Sequence, residues 1–184
     1  MIDKFSNPLH RAYDKHKESD KGTIHSYIEF YEGILLPYRN KKINLLEIGI
    51  WKGGSLLMWD EYFSKAKIFG IDTTEFKWLD SEVKKNIEVI QGDGSSSEIL
   101  NNSKLKNVKF DIIIDDANHD IKQQQDIFNV FYKRLKKNGL YIIEDVENQL
   151  SALKLVNMGD NGVIIDRRKV KQRFDDLLVI FYKD

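Results

Sequence analysis

The apolar positions of this chain form short runs that are separated by polar or helix-periodic stretches. Five runs have the length of a strand and are almost continuously apolar, at residues 43–50, 66–72, 86–93, 109–116 and 140–145. Such runs are typical of strands covered on both faces, as in a parallel sheet. Two further runs, at residues 162–168 and 175–184, have only a short polar connection between them, which predicts an antiparallel pair.

Helical periodicity lies between several of these runs. One predicted helix covers residues 22–36 and is stopped by Pro37, and a second covers residues 54–63. A third is predicted over residues 121–139, because its apolar side chains fall on one side and Gly139 follows a basic last turn. The alternation of strands and helices predicts a doubly wound α/β fold, with a mostly parallel seven-stranded sheet and an antiparallel edge strand.

Length and composition restrict the class of protein. The 184 residues suit one domain, which we expect to cover residues 1–184 with residues 1–40 as an N-terminal helical segment. Lysine plus arginine and aspartate plus glutamate both total 29, and this balance argues against a dedicated nucleic-acid binder. Without cysteine, disulfides, thiolate metal sites and a cysteine nucleophile are excluded. With no signal peptide and no apolar stretch of about 18 residues, we expect a cytoplasmic protein that does not enter a membrane.

The first strand leads into a glycine-rich turn. Glu47 lies in this strand, Gly49 follows it, and Gly53 and Gly54 come just before the next helix, near whose start Ser55 lies. Glycines allow the backbone to approach a ligand closely, and the helix behind them offers free N–H groups. The spacing is not G-x-G-x-x-G, so the dinucleotide fingerprint is absent. A tight strand-to-helix corner without a ligand is the alternative interpretation.

Acidic residues follow the next two strands at the same predicted edge of the sheet. Asp72 ends the second strand and could accept hydrogen bonds from both hydroxyls of a ribose, although an Asp there could equally cap a helix. Asp93 lies in the loop after the third strand and could accept from an adenine amino group, or could belong to a plain turn with Gly92 and Gly94.

Four carboxylates and one imidazole follow the fourth and fifth strands. Asp115 and Asp116 leave one strand, Glu144 and Asp145 leave the other, and His119 lies in the loop after Asp116. If the strands are neighbours, the crowded carboxylates repel one another, and a divalent cation that prefers oxygen ligands, with Mg²⁺ as the expected ion, would relieve that repulsion. A neutral imidazole there is a suitable general base. Helix capping by the acids and a solvated histidine are the alternatives.

The order of these features resembles the class I S-adenosylmethionine-dependent methyltransferases over about residues 40–150. The resemblance implies that Gly49 and Gly53 lie beside the methionine part of the cofactor, Asp72 at the ribose and Asp93 near the adenine. The wider set that we expect around the cofactor adds residues before and within the strands, namely Glu47, Ser55, Asp115, Lys21, Thr23 and Tyr27. Packing of the first predicted helix would explain Tyr27 equally well.

The fourth strand carries a more specific motif. Its end, "DDANH" at residues 115–119, resembles the "DDGSH" signature of metal-dependent sugar O-methyltransferases of the macrocin and mycinamicin type, with Ala117 and Asn118 in place of Gly and Ser. That resemblance implies Asp116 and Asp145 as metal ligands, Glu144 as a further metal contact and His119 as the base. It also implies an acceptor hydroxyl on a sugar or nucleotide-linked sugar, of a cell-surface polysaccharide or a natural-product glycoside.

Two features bear on the acceptor and on rival functions. Only about forty residues precede the first strand, so a homodimer partner could supply a wall of the acceptor site, or the acceptor could bind openly. The basic stretch 167–173 could contact phosphates of a nucleotide sugar or could be a solvated hairpin. A noncatalytic cofactor-binding module and a nicotinamide-dependent oxidoreductase are the alternative functions, the latter disfavoured by the absence of G-x-G-x-x-G and of Tyr-x-x-x-Lys after the fifth strand.

Overall fold

Seven strands and six α-helices form the chain in the computed structural model, which describes residues 7–16, 18–75 and 85–184. Residues 1–6 and 17 of the predicted N-terminal helical segment lie outside the described residues. The strands are β1 (Asn44–Ile48), β2 (Lys67–Asp72), β3 (Ile87–Gln91), β4 (Phe110–Asp115), β5 (Leu135–Ile143), β6 (Gly162–Asp166) and β7 (Leu177–Tyr182). The helices are α1 (Pro8–Lys15), α2 (Tyr27–Leu35), α3 (Gly54–Tyr62), α4 (Ile121–Phe131), α5 (Gln149–Val156) and α6 (Arg168–Lys171).

The strands form one mixed sheet in the order β3-β2-β1-β4-β5-β7-β6. β3, β2, β1, β4 and β5 pair in parallel, and β7 runs antiparallel to both β5 and β6. The predicted fold class and the predicted antiparallel pair at the end of the chain are therefore confirmed. Since chain order reverses direction between β1 and β4, the carboxyl ends of these two strands form the switch point where ligands bind in such sheets.

Both faces of the sheet are covered by helices, which explains the continuous apolar runs. Ile112 and Ile114 of β4 join a core with side chains of α1, α2 and α3. Ile113 between them faces the opposite way, into a core shared with α4 and α5. All three side chains are fully buried. Among the described residues, no helix is long and apolar enough to cross a lipid bilayer.

The predicted helix over residues 121–139 is wrong in its second half. α4 ends at Phe131, a short 3-10 helix covers Tyr132–Arg134, and β5 begins at Leu135. Leu135 is buried and pairs with Phe110 of β4, so burial of an apolar side chain against the sheet overrides the helical periodicity. Gly139 lies within β5 and does not cap a helix.

The predicted helix over residues 22–36 begins later than its apolar spacing suggests. α2 starts at Tyr27, because the carbonyl groups of Gly22, Thr23 and His25 all accept hydrogen bonds from the Lys171 ammonium. The α1, α5 and α6 helices were not recognised individually in the sequence. α1 has a readable start, since the Asn7 side chain accepts from the backbone of the third residue after it and Pro8 follows as the first helical residue.

Truncation of β4 side chains tests whether both faces of the sheet are packed. We expect Ile113→Ala and Ile114→Ala each to lower the free energy of unfolding by about 2–5 kcal/mol, because each leaves a cavity in a different core. Val163→Ala on β6, whose side chain is exposed, is the control and should change it by less than about 0.5 kcal/mol. Urea denaturation measures all three, and a near-neutral result for either isoleucine would contradict the two-sided core.

Candidate active site at the carboxyl edge of the sheet

The acidic residues after β4 and β5 lie side by side. β4 and β5 are adjacent and parallel, with Asp115 opposite Ile143 in the register. The backbone N–H of Glu144 donates to the Asp115 carbonyl, which extends the pairing by one residue beyond the strand. The strand neighbours on which the predicted cluster depended are thus present, and the side chains that follow share one rim.

The ammonium group of Lys21 lies in the middle of this rim. Its Nζ is 2.5 Å from Asp116 Oδ2, 2.7 Å from Glu144 Oε2 and 3.3 Å from Glu47 Oε1. The three acids come from β1, from the end of β4 and from the end of β5, and the Lys21 side chain is 1% exposed. Burial alone would lower the pKa of Lys21, but its three acidic neighbours raise it well above the ordinary range, so the group is charged.

Glu47 and Glu144 are tied into the protein by further hydrogen bonds. Ser55 Oγ donates to Glu47 Oε2 at 2.7 Å, and the indole N–H of Trp59 donates to the same oxygen at 3.2 Å. The hydroxyl of Tyr31 donates to Glu144 Oε1. Both oxygens of Glu144 therefore already have protein partners, Lys21 and Tyr31.

A second group of side chains surrounds the outer side of Asp116. His119 Nε2 lies 3.4 Å from Asp116 Oδ1 and 3.5 Å from Asp145 Oδ2. One ligand atom from each of Asp116, His119 and Asp145 can be chosen so that all lie within 4.8 Å of one another. The two carboxylates supply oxygen donors that can hold a divalent cation, with the imidazole beside them.

The backbone at this rim adopts conformations that non-glycine residues rarely take. His119 has φ 62°, Asp145 has φ 51° and Trp51 has φ 41°. Left-handed residues of this kind persist only where the surroundings fix them, and they cluster at functional sites. Residues next to each other on a strand point to opposite faces, so Glu144 and Asp145 would normally separate. The left-handed backbone at Asp145 brings its side chain to the same rim as His119.

The electrostatics of the three side chains reflect their proximity. Burial raises the pKa of Asp145 to about 6, with the Asp116 charge adding to the rise and His25 opposing it. Burial also opposes ionisation of Asp116, but Lys21 and His119 together hold its pKa below the ordinary value. Burial opposes the charged form of His119, yet the hydrogen bond to Asp116 and the charge of Asp145 leave its pKa raised. The group as a whole attracts positive charge.

The glycine turn lies directly against the loop that carries Asp116. Gly49 has φ 82°, and a Cβ placed on it would lie 2.0 Å from the Asp116 carbonyl oxygen. Gly53 has φ 76° and is the N-cap of α3. Gly54 is approached closely by Glu18 and Ser19 of the N-terminal segment, since a Cβ on Gly54 would lie 2.6 Å from the Glu18 carbonyl carbon. Close contacts with the chain's own backbone therefore explain the glycines at 49 and 54, as is expected for a tight strand-to-helix corner.

Two cavities open beside this turn. The larger, of about 500 Å³, is lined by residues following β1 to β4, including Gly49, Trp51, Asp72, Asp93 and Asn118. The smaller, of about 270 Å³, includes Ser55 and His119 in its lining and is closed on one side by residues 18–20. Gly49, Trp51, Asp116 and Ala117 line both cavities. The two spaces are thus neighbouring compartments with Asp116 at their junction. His119 lines the smaller one and Asp145, which is 2% exposed, lines neither; Asp116, His119 and Asp145 are called the acid–histidine group below.

Asp72 and Asp93 line the larger cavity but also serve local structure. Asp72 Oδ2 accepts from the backbone N–H groups of Ile50 and Trp51 at 2.9 and 3.2 Å, and its Oδ1 accepts from Thr74. Asp93 Oδ1 accepts from the backbone and hydroxyl of Ser95. Each carboxylate has four lone pairs, so these bonds leave acceptor capacity toward the cavity.

Several residues expected around the cofactor do not line either cavity. Glu47, Lys21 and Tyr27 are buried behind the rim, where their polar atoms bind other side chains of the protein. Thr23 is exposed on the N-terminal segment. Asp115 is fully buried, burial raises its pKa well above the usual range, and its Oδ2 has no hydrogen-bond partner in the described part of the chain. The geometry does not favour direct cofactor contact by these five residues.

Comparison with known proteins identifies the family. A family described as a methyltransferase domain matches residues 46–146, which run from β1 to just beyond β5. The chain belongs to this methyltransferase domain family. The match includes the glycine turn, Asp72, Asp93 and the acid–histidine group.

Curated relatives of the chain include two O-methyltransferases. Mycinamicin VI 2''-O-methyltransferase of Micromonospora griseorubida is 33% identical over 132 residues, which cover 68% of this chain and 32% of the relative. Demethylmacrocin O-methyltransferase of Streptomyces fradiae is 30% identical over 132 residues, covering 68% of this chain and 33% of the relative. This chain therefore matches about a third of the length of each.

A solved structure shows the same fold around ligands. The MycE methyltransferase of the mycinamycin biosynthetic pathway, in complex with Mg, SAH and mycinamycin VI, is 30% identical with a TM-score of 0.67. The similarity covers 75% of this chain and 37% of that one. The doubly wound α/β architecture is thus that of a methyltransferase.

Some residues of the site were not recognised in the sequence. Trp51 is 61% exposed and lines both cavities; its signal was a lone aromatic residue between the glycines of the turn. His25 Nδ1 lies 2.7 Å from Asp176 Oδ1 and 3.1 Å from Asp145 Oδ1. His25 and Asp176 are 151 residues apart in the sequence, so no local pattern indicates their contact.

The basic stretch 167–173 has a structural role that neither sequence interpretation included. Arg167 Nε donates to the carbonyl and the hydroxyl of Ser26, and Lys171 binds three carbonyl groups of the N-terminal segment. Arg168 pairs with Asp166, and Arg173 with Asp175. The stretch fastens the N-terminal segment to the sheet and is not simply a solvated hairpin.

Substitution of Gly49 tests the close approach of the two loops. We expect Gly49→Ala to destabilise the fold by about 1–3 kcal/mol from its backbone conformation alone, with the clash against Asp116 adding to this cost. Gly33→Ala is a matched control, because Gly33 is exposed within α2 and a Cβ placed on it would meet no heavy atom within 4 Å. It should stabilise by roughly 0.5–1 kcal/mol. Thermal denaturation of both variants decides, and equal effects would contradict the close approach at Gly49.

Proposed function

We propose that the chain is an S-adenosylmethionine-dependent, divalent-metal-assisted O-methyltransferase that acts on a hydroxyl of a sugar or nucleotide-linked sugar. The observation that carries the proposal is the convergence of Asp116, His119 and Asp145 beside the glycine turn, with Asp116 at the junction of two cavities. Family membership supports the methyl-transfer class. The acceptor class is supported by a further relative, 31% identical over 145 residues, whose name specifies a rhamnosyl-bearing substrate: the 8-demethyl-8-(2-methoxy-alpha-L-rhamnosyl)-tetracenomycin-C 3'-O-methyltransferase of Streptomyces olivaceus. The acceptor would be part of a cell-surface polysaccharide or a natural-product glycoside.

The cavities suit the two ends of the proposed cofactor. The larger one has room for a nucleoside, with Asp72 as ribose acceptor and Asp93 as acceptor from the adenine amino group. The smaller one, which includes Ser55 and the N-terminal residue of α3, suits the amino-acid end. Gly49 lies in both, so the reactive centre of the cofactor would lie near it and near Asp116.

The donor set at the rim suits a hard divalent cation, and we propose Mg²⁺. Asp116 and Asp145 would hold it through oxygen, in keeping with the one or two carboxylates that bind Mg²⁺ in proteins. Glu144 remains a proposed further contact, although its two oxygens face Lys21 and Tyr31. When bound, the cation would supply a positive charge that lowers the pKa of a nearby acceptor hydroxyl.

His119 is the proposed general base. Its side chain is 39% exposed at the rim, so an acceptor hydroxyl can reach it. The imidazole would take the hydroxyl proton as the methyl group moves from the sulfonium to the acceptor oxygen, and the neighbouring carboxylates would stabilise the resulting imidazolium. Because the methyl donor is already activated, orientation and deprotonation are the main tasks of the protein.

The proposal also covers domain organisation, cellular location and partners. We propose that residues 1–184 act as one domain with residues 1–40 as its helical N-terminal segment, in the cytoplasm, which the absence of cysteine fits. A small-molecule acceptor, and neither nucleic acid nor a membrane, is the proposed partner. A homodimer could complete the acceptor site. Arg167 and Lys171 already bind the N-terminal segment, which weakens the case for a phosphate site there.

Calorimetry tests the cofactor class. We expect S-adenosylhomocysteine to bind and NADH not to bind, and Asp72→Ala to weaken binding about tenfold or more, because it removes the ribose acceptor and the anchor of Ile50 and Trp51. Asp166→Ala on β6, which removes an exposed partner of Arg168, should leave affinity unchanged. Binding of NADH in place of S-adenosylhomocysteine would refute the proposal.

Activity measurements test the base and the metal. Release of S-adenosylhomocysteine should be measured over a panel of neutral and nucleotide-linked sugars, with and without EDTA. We expect His119→Ala to lower the rate about 10²–10⁴-fold while cofactor affinity persists, since only proton transfer is lost. Chelation should abolish the wild-type rate. A rate that does not change with EDTA would exclude the cation from the reaction. Binding of the cofactor without turnover on any acceptor would favour a noncatalytic module.

A further inference from the structure

Asp116 and Asp145 each have one oxygen held by the N-terminal segment and one that faces His119. Asp116 Oδ2 binds Lys21 at 2.5 Å, whereas Asp116 Oδ1 lies 3.4 Å from His119 Nε2. Asp145 Oδ1 accepts from the Tyr27 hydroxyl and lies 3.1 Å from His25 Nδ1, whereas Asp145 Oδ2 lies 3.5 Å from His119 Nε2. The same division of the two oxygens thus occurs in both acids.

We propose that Lys21, His25 and Tyr27 of the N-terminal segment are positioning residues of the cation site, which orient Asp116 and Asp145 without touching cation, cofactor or acceptor. This inference rests on the proposed function, because it assumes that the two acids bind the cation. It gives Lys21 and Tyr27 a different role from the cofactor contact that the sequence suggested.

The physical basis is the rotational freedom of a carboxylate. An aspartate that is held at neither oxygen can turn about its side-chain torsions, and binding a cation then requires that this freedom be lost. A donor that is hydrogen-bonded to one oxygen restricts this rotation before the cation binds, and it directs the other oxygen toward the cation site. Outer hydrogen bonds of this kind change metal affinity by about 10- to 100-fold when they are removed.

The three proposed positioning residues are themselves immobilised. Their exposed fractions are 1% for Lys21, 4% for His25 and 0% for Tyr27. The His25 and Tyr27 rings stack with centroids 5.0 Å apart, and His25 is held by Asp176 at 2.7 Å. Lys21 is fixed by its contacts with Glu47 and Glu144. Rigid donors are what such an orienting role requires.

The decisive experiment measures Mn²⁺ binding to the full chain, by calorimetry and by electron paramagnetic resonance, without cofactor or acceptor. We expect Tyr27→Phe to weaken Mn²⁺ binding about 10- to 100-fold, because it deletes only the hydroxyl that holds Asp145 Oδ1. At saturating cation its rate should return to within a few-fold of wild type, since the base and the ligands remain. His25→Leu, which removes the imidazole whose Nδ1 lies 3.1 Å from the same oxygen, should also weaken Mn²⁺ binding about tenfold or more.

Tyr38→Phe is the matched control. It also deletes one phenolic hydroxyl, but that hydroxyl donates to the Asn138 carbonyl at 3.0 Å, away from the acid–histidine group. Its Mn²⁺ affinity should equal that of wild type. If wild type binds Mn²⁺ and Tyr27→Phe or His25→Leu, once shown to be folded by circular dichroism, binds it equally well, the positioning role is overturned while the proposed function stands. If wild type binds no Mn²⁺, the metal site and this inference both fail.

Discussion

The ammonium of Lys21 among two buried carboxylates and the half-buried Asp116 is the interaction on which this structure depends. Glu47, Asp116 and Glu144 project from three adjacent strands, and without a cation they would repel one another in a dry environment. The ammonium donates to Asp116 and Glu144 and lies 3.3 Å from Glu47. Removing one partner of a buried ion pair typically costs about 3–5 kcal/mol, because the remaining charge has no compensation. The Lys21 ammonium therefore offsets the repulsion that these converging acids would otherwise have.

This dependence makes the N-terminal segment part of the site. Lys21 reaches the rim because residues 18–27 cross the carboxyl ends of the strands, close enough that Gly54 must lack a side chain. At the opposite end of the chain, Arg167 and Lys171 hold the same segment through its backbone carbonyls. The contacts that hold this segment at the rim therefore join residues that are 95 to 149 positions apart in the sequence. The family match begins only at residue 46, so the matched core and the layer that orients its acids come from different parts of the chain.

Sequence reasoning brought together the residues of the candidate site but missed its contacts with the N-terminal segment. Strand ends could be predicted from apolar runs, and the rule that parallel strands expose their carboxyl ends together placed Asp116, His119 and Asp145 near one another from the sequence alone. The partners of Lys21 and His25 were out of reach, because such contacts depend on tertiary packing over long separations and leave no local pattern. The same limit explains the error at Leu135, where helical periodicity continued into a residue that pairs within the sheet.

Glu144 and Asp145 show how two adjacent residues acquire different roles. On a regular strand they would point to opposite faces, and only one could reach the rim. The left-handed backbone of Asp145, at φ 51°, breaks that alternation directly after β5. Glu144 then turns inward to Lys21 and Tyr31, and Asp145 turns toward His119, with its second oxygen held by Tyr27 and His25. Glu144 pairs with the internal ammonium, and Asp145 presents its Oδ2 to His119 although it is only 2% exposed. Local backbone strain is thus the means by which one strand end serves both the fold and the candidate site.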